Sequence, residues 1–224
     1  MEHPFHEELK RLKDEWIRMS FRVDEAVAKA CEAFLLRDAA LAQEVIDGEE
    51  TINSLEIQID DKGHSLFALG QPMAVDLRLI AMILKMNTDL ERIADHAVNI
   101  AEKTLTLLKL PEIRLSGDPL QKMAYAAQRM LRDSLDSFLK EDVELALRVL
   151  RSDDGIDQAD TSLYGQISGI MEANSSAVEA GIQLVMVSHN LERIADLACN
   201  IAEDVIYLKQ GREVRHSRIR VSHS

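Results

Sequence analysis

Leu90 to Glu102 reads LERIADHAVNIAE, and Leu191 to Glu203 reads LERIADLACNIAE. Eleven of the thirteen positions are identical at an offset of 101 residues, beyond what shared helical composition produces, so the chain is a duplication. Upstream the correspondence continues at an offset of 104, pairing Phe34 with Phe138, Asp38 with Asp142, Leu41 with Leu145, Ala42 with Ala146, Val45 with Val149 and Ile52 with Ile156. The change of offset by three places a small length difference between about residues 68 and 79, where Gly70, Gln71 and Pro72 break the first half.

The repeated stretch is helical. Leu184, Val187, Leu191, Ile194, Ala198, Ile201, Val205 and Leu208 recur in steps of three and four, and Ile83, Met86, Leu90, Ile93, Ala97, Ile100, Thr104 and Leu107 repeat the same register. Each stripe is the buried seam of a packed helix. Composition extends the argument to the whole chain. Its 224 residues contain nine Gly and four Pro, where average usage would give about 27 together. Residues 73–110 and 120–154 contain neither, which excludes a sheet protein with its frequent turns. The fold class is all-α, with two tandem three-helix bundles and six helices near 5–37, 39–69, 73–109, 119–140, 142–173 and 177–210. Asp38 and Asp142 are candidate N-caps for the second helix of each half, without a capping box. Phe5, Leu9, Leu12 and Trp16 have helical spacing and are expected in the core. The first repeat spans 1–110, a Pro- and Gly-containing connector follows from Pro111 to Pro119, the second repeat spans 119–210, and 211–224 is a basic tail expected to be flexible. The two units predict either bundles packed side by side or one continuous array.

Hydrophobic content of 46% with 29% charged residues is enough to build a core. The longest apolar run, Leu79 to Leu84, is six residues, far short of the roughly 20 that span a bilayer. The N-terminus has no apolar secretory region, and Cys31 and Cys199 are read as reduced thiols, so a cytoplasmic location is expected. Net charge is −13, with about +4 from Lys209 onward and about −17 on the remainder. Such an acidic body argues against nucleic-acid binding.

On the repeated helix Glu91 and Asp95 are four residues apart, as are Glu192 and Asp196. At 100° per residue each pair lies about 160° from the central isoleucine of its core stripe. Like charges at this spacing repel and give a helix nothing. The second helix of each half carries a further cluster, Asp153, Asp154 and Asp157 in the second half and Glu49, Glu50 and Asn53 at the aligned positions of the first. If neighbouring helices run antiparallel, these sets converge into an all-oxygen site that requires a cation. Oxygen ligands point to iron, manganese or magnesium rather than thiolate-bound zinc. Asn53 replaces an aspartate, so the first site is expected to be the weaker. Asn99 and Asn200, with Glu102 and Glu203, continue the same faces. His189 and His96 have no repeat partner and are read as local. The chain has no pair of Glu-x-x-His motifs, no Gly-rich phosphate loop and no His-Glu-x-x-His motif, which disfavours an enzyme.

Taken together, the stretch Gln71, Pro72, Met73, Ala74, Val75, Asp76, Leu77 and Arg78, the twin LERIAD repeats with their NIAE continuation, and the duplicated three-helix pattern resemble the PhoU family over nearly the whole chain. The resemblance implies metal clusters on Glu/Asp-x-x-x-Asp motifs, here Glu91 to Asp95, Glu192 to Asp196 and Asp153 to Asp157, with Glu49 to Asn53 departing from the pattern. Asp76, Arg78, Asn99 and Asn200 belong to family motifs without an assigned role. The resemblance further implies a cytoplasmic, non-enzymatic negative regulator of phosphate uptake and of the phosphate-starvation response. Its expected partners are the ATP-binding subunit of the phosphate ABC transporter, a sensor histidine kinase and a second copy in a homodimer. These would hold it at the inner face of the membrane. The readings set against this are a plain helical oligomerisation module and a carboxylate-metal-dependent enzyme.

Overall fold

The computed structural model describes residues 4–69 and 73–211. Gln71 and Pro72, and the tail from residue 212 onward, lie outside the described residues. Six helices follow in order: α1 Pro4–Leu36, α2 Ala39–Leu69, α3 Ala74–Leu107, α4 Pro119–Lys140, α5 Val143–Ala173 and α6 Val178–Gln210. None of the described helices is long and apolar enough to cross a membrane.

Equivalent residues start and stop equivalent helices. Arg37 and Glu141 end α1 and α4 in the left-handed region, each with φ of 55°. This conformation lets the next residue donate its N–H back into the helix, Asp38 to Ala33 O and Asp142 to Ser137 O, both at 2.9 Å. Asp38 and Asp142 then cap the following helix, accepting from Leu41 N at 3.1 Å and from Leu145 N at 3.0 Å. Two helices therefore join through a two-residue corner, which forces antiparallel neighbours. α3 ends two residues earlier than its pattern suggests, because Leu108 to Leu110 wind into turns before Pro111. A 3-10 turn at Ser175–Ala177, capped by Asn174, precedes α6.

The two three-helix units pack side by side around one continuous core. α3 and α6 are central and antiparallel, since Lys85 near the start of α3 pairs with Asp204 near the end of α6, and His96 Nδ1 meets Asn190 Oδ1 at 2.8 Å. This register sets the two LERIAD stretches beside each other at the middle of the seam. Ile83, Met86, Leu90, Ile93, Ala97 and Ile100 of α3 are fully buried, as are Val187, Ile194, Ala198 and Ile201 of α6. A second seam joins α1 to α4, where Trp16 meets Phe138 edge to face with ring centroids 4.5 Å apart and Arg132 pairs with Asp24 at 3.0 Å. Leu9, Leu12 and Trp16 are in the core, and Phe5 packs against it. Both cysteines are free thiols.

Candidate functional site

Each unit has an acidic face where its second and third helices lie side by side. In the second unit α6 carries Glu192 and Asp196 one turn apart, and α5 carries Asp153, Asp154 and Asp157 with Asp160 a turn further on. Antiparallel packing brings Asp196 within electrostatic reach of both Asp153 and Asp157, and Glu192 within reach of Asp160. Ser188, one turn before Glu192, donates its hydroxyl to Asp160 and ties the two helices together. In the first unit Glu91 feels Asp95 on its own helix and Glu56 and Glu49 on α2. Asn87, at the position equivalent to Ser188, donates to Glu56 O at 2.9 Å and to Asp60 Oδ1 at 3.0 Å.

Crowding of like charges at a partly desolvated face favours the protonated form. Burial, then Asp157 and Asp196, raise the Asp153 carboxyl above the ordinary aspartate value. Asp157 is raised by burial, then by Asp196, Asp154 and Asp160. Glu192 and Glu91 are raised first by burial and next by Asp196 and Asp95 respectively. Burial followed by Asp60 raises Glu56. Cys199 sits half-buried on the second face, where burial and then Asp153, Asp196 and Glu203 push its thiol far up, so it stays protonated and is a poor ligand.

Faces converge, but ligand atoms do not. Among the described residues no three histidine, cysteine, aspartate or glutamate side chains are placed to hold one metal ion. Carboxylates with no cation between them lower their repulsion by turning apart. The donor chemistry nonetheless fits a hard cation. Oδ1 of Asn53 and Oε2 of Glu192 are buried acceptors without a hydrogen bond, a condition that buried polar atoms rarely tolerate. Glu192 Oε2 has only the wider ion-pair contacts of His189 Nδ1 at 3.5 Å and Arg193 Nε at 3.7 Å.

The other residues singled out in the sequence fall into separate places. Glu50 and Asp154 are exposed, Glu49 is half-buried, and Asn99 and Asn200 are half-buried on their helices. Asp76 faces His6 of α1 at 4.0 Å, and the Arg78 guanidinium lies over the Tyr207 ring of α6 at 5.8 Å from its centroid. The first is a link within a unit and the second a link between units, both remote from the acidic faces. Glu56, Asp60 and Asp160 were not among the expected site residues. Their signal was present, since Glu56 aligns with Asp160 at the offset of 104 and each stands one turn beyond the Asn53 and Asp157 positions. A cleft of about 820 Å³ opens elsewhere, between the ends of α1 and α3, the connector and the start of α4, and none of the facing carboxylates lines it.

The family model described as the PhoU domain matches the chain twice, over residues 17–104 and 120–205. A phosphate-specific transport system accessory protein PhoU homolog of Aquifex aeolicus is 36% identical over 213 residues, covering 95% of this chain and 96% of that protein. A homolog of the same name from Caulobacter vibrioides is 34% identical over 214 residues, covering 96% and 93%. The crystal structure of PhoU from Pseudomonas aeruginosa superposes with a TM-score of 0.90 at 33% identity, covering 93% of this chain and all of that one.

Proposed function

Since the chain belongs to the PhoU family, we propose that it is a non-enzymatic regulator of phosphate uptake that acts from the inner side of the membrane. It restrains the phosphate ABC transporter through the ATP-binding subunit and the phosphate-starvation response through a sensor histidine kinase when phosphate is plentiful. What supports a regulator is the pairing of full-length similarity to phosphate-transport accessory proteins with a surface lacking any nucleophile-and-base arrangement among the residues discussed above. Deleting the gene should switch on phosphate-starvation reporters in phosphate-rich medium, and the wild-type chain should restore repression. Unchanged reporters in the deletion would refute the reading.

The observation that carries the metal part is the face-to-face placement of carboxylates on α5 and α6, repeated on α2 and α3. Asp153, Asp157, Glu192 and Asp196, with Asp160 at the edge, would hold iron, manganese or magnesium in the second unit. Glu49, Asn53, Glu91 and Asp95, with Glu56, would do so less tightly in the first. A bound cation supplies charge neutralisation and a bridge between neighbouring helices. The residues themselves set the spacing of the faces and leave a half-buried acidic surface for a partner. Elemental analysis of wild type beside a Glu192→Gln, Asp196→Asn double variant tests this, with several metal ions per chain expected in the first and fewer in the second. A wild type that stays empty on reconstitution would favour the plain helical module, a reading to which the absence of an assembled ligand set among the described residues lends weight. The homodimer is tested by sedimentation, which should return twice the 25.2 kDa chain mass.

A further inference from the structure

The later part of α5 has little intrinsic reason to be a helix. From Ser152 to Ala173 it contains no Lys or Arg, so no i, i+4 ion pair within the stretch supports it, and Glu172 stands in the last turn, at the negative end of the helix dipole. Asp153, Asp154, Asp157 and Asp160 follow one another at spacings of three and four residues, at which like charges repel. Ser152 and Thr161 turn their hydroxyls back to Arg148 O and Asp157 O, both at 3.0 Å, a bond that weakens and bends a helix. Gly155, Gly165 and Gly169 lie in the same stretch, and a Cβ at any of them would meet nothing within 4 Å. Packing does not ask for glycine there, whereas Gly63 and Gly181 make room for Leu84 and Met171. Each such glycine favours the open chain over the helix by about two- to five-fold relative to alanine. Helices α1, α3 and α4 contain no glycine.

Tertiary contacts hold this stretch sparsely. Beyond Val149 only Ile156, Leu163 and Ile167 of α5 are buried, whereas α6 buries sixteen of its 33 residues. Two side-chain hydrogen bonds reach it from α6, Ser188 to Asp160 and the Cys199 thiol to Asp153. The equivalent helix of the first unit is better secured. α2 is tied to α1 by the ion pairs of Lys62 with Glu15 and of Lys29 with Glu44, and to α3 by both bonds of the Asn87 amide. Among the described residues no ion pair ties α5 to α4 or α6; the pairs at that side, of His189 and Arg193 with Glu192 and of Arg193 with Asp196, lie within α6. Weak local preference and few anchors together mark a segment that opens at lower cost than the rest.

We infer that residues 152–173 form a strap that opens as one unit from an otherwise folded molecule. Opening parts Asp153, Asp157 and Asp160 from Glu192 and Asp196, and lifts Ile167 and Met171 away from Gly181. It also frees Ser188, whose hydroxyl lies 3.4 Å from Met123 Sδ of α4. The second unit therefore has two forms, one presenting the carboxylates of α5 and α6 together and one presenting the face of α6 that α5 covers. The first unit keeps a single form. Because the open form is a small fraction of the native population, hydrogen exchange reads it and overall helicity does not. It is a property of the chain without a cation, so it stands or falls separately from the metal reading.

The test is amide hydrogen exchange of the full-length protein in chelator, under conditions where reclosing outpaces exchange. Amides of 152–173 should exchange with one common protection, at least about 100-fold less than that of residues 187–205 of α6. Changing Gly155, Gly165 and Gly169 together to Ala should slow their exchange at least about ten-fold. A second variant separates local opening from unfolding of the whole chain. Ile93→Val, in the fully buried middle of α3, should speed exchange along the α3–α6 seam by about two- to ten-fold and leave that of 152–173 unchanged. Three results would overturn the strap: protection of 152–173 equal to that of α6, protection falling residue by residue toward Ala173 as in simple fraying, or acceleration of 152–173 in step with the seam in Ile93→Val. Exchange of 152–173 unaffected by the three alanines would overturn it as well, since the glycines would then not set the opening.

Discussion

Asp157 holds its proton more readily than an ordinary aspartate because partial burial and the charges of Asp196, Asp154 and Asp160 oppose ionisation. The same repulsion that would be relieved by a cation is a cost without one. Asp157→Asn should therefore stabilise the chelator-treated protein slightly, by about 0.5 kcal/mol on the scale of like-charge helix pairs, while lowering metal uptake and reducing the stability gained when manganese is added. Thermal melts of both forms with and without metal read the opposite signs directly, and parallel shifts would remove the cation from the account. A pH dependence follows from the same residues. Glu91, Asp153, Asp157 and Glu192 have raised pKa values in the fold, so they favour folding below the ordinary carboxylate range and lose that contribution as pH rises through the raised values. Glu141, lowered by its hydrogen bond to Lys209, acts in the other direction: its contribution is present at neutral pH and lost as pH falls. Comparing wild type with an Asp153→Asn, Asp157→Asn, Glu192→Gln variant isolates the acidic face. In chelator, wild type should lose stability relative to the variant as pH rises from the ordinary carboxylate range through the raised values of these groups, and saturating metal should abolish or reverse that trend.

Helix pairs show how duplication and divergence coexist. On α2, Gly63 leaves room for Leu84 of α3, and a Cβ there would approach Leu84 Cδ2 to 2.5 Å. On α6, Gly181 leaves room for Met171 and Ile167 of α5, with a Cβ falling 2.7 Å from Met171 Cγ and 3.2 Å from Ile167 Cγ2. Gly63 aligns with Ile167 and Gly181 with Ile80, so the small and the large residue have changed helices between the halves. Gly181→Val should accordingly cost about 1–3 kcal/mol by overpacking, and adding Ile167→Ala should return part of it. Urea denaturation of the single and double variants measures the coupling, and strict additivity would show that the two sites do not share the space. At this scale the sequence was informative in a particular way. Scarce Gly and Pro and two unbroken stripes reveal six helices and the phase of each, as the burial of Leu90, Ile93, Leu191 and Ile194 shows. Phase does not reveal how far one helix slides along another. That is why Glu56 and Asp160 joined the acidic faces only when the cross-helix register was known, and why facing helices did not translate into assembled ligands. The non-glycine left-handed ends at Arg37 and Glu141 were illegible for a different reason, since composition points to Gly at such positions.

The molecule as a whole is held by its two seams, so its halves are not independent domains joined by a connector. The LERIAD stretches serve two purposes at once: their apolar sides make the middle of the α3–α6 seam, and their acidic sides face α2 and α5. If the proposed cation draws α5 toward α6, it would act on the same helix that carries the contact between units, and a change at one acidic face would then be felt across the seam by the other half. Such coupling requires that the two units unfold together. Ile194 is fully buried at the centre of the seam, and Ile194→Ala should cost about 2–5 kcal/mol, as large-to-small core substitutions do. The decisive feature is the form of the transition rather than its midpoint. Wild type and variant should each show one cooperative unfolding step with similar denaturant dependence, followed identically by the fluorescence of Trp16 in the first unit and by overall helicity. A protein cut within residues 111–118 should likewise elute as a single species until denatured. Two transitions, with Trp16 insensitive to a change in the second unit, would separate the halves energetically and confine any effect of bound metal to the bundle that holds it.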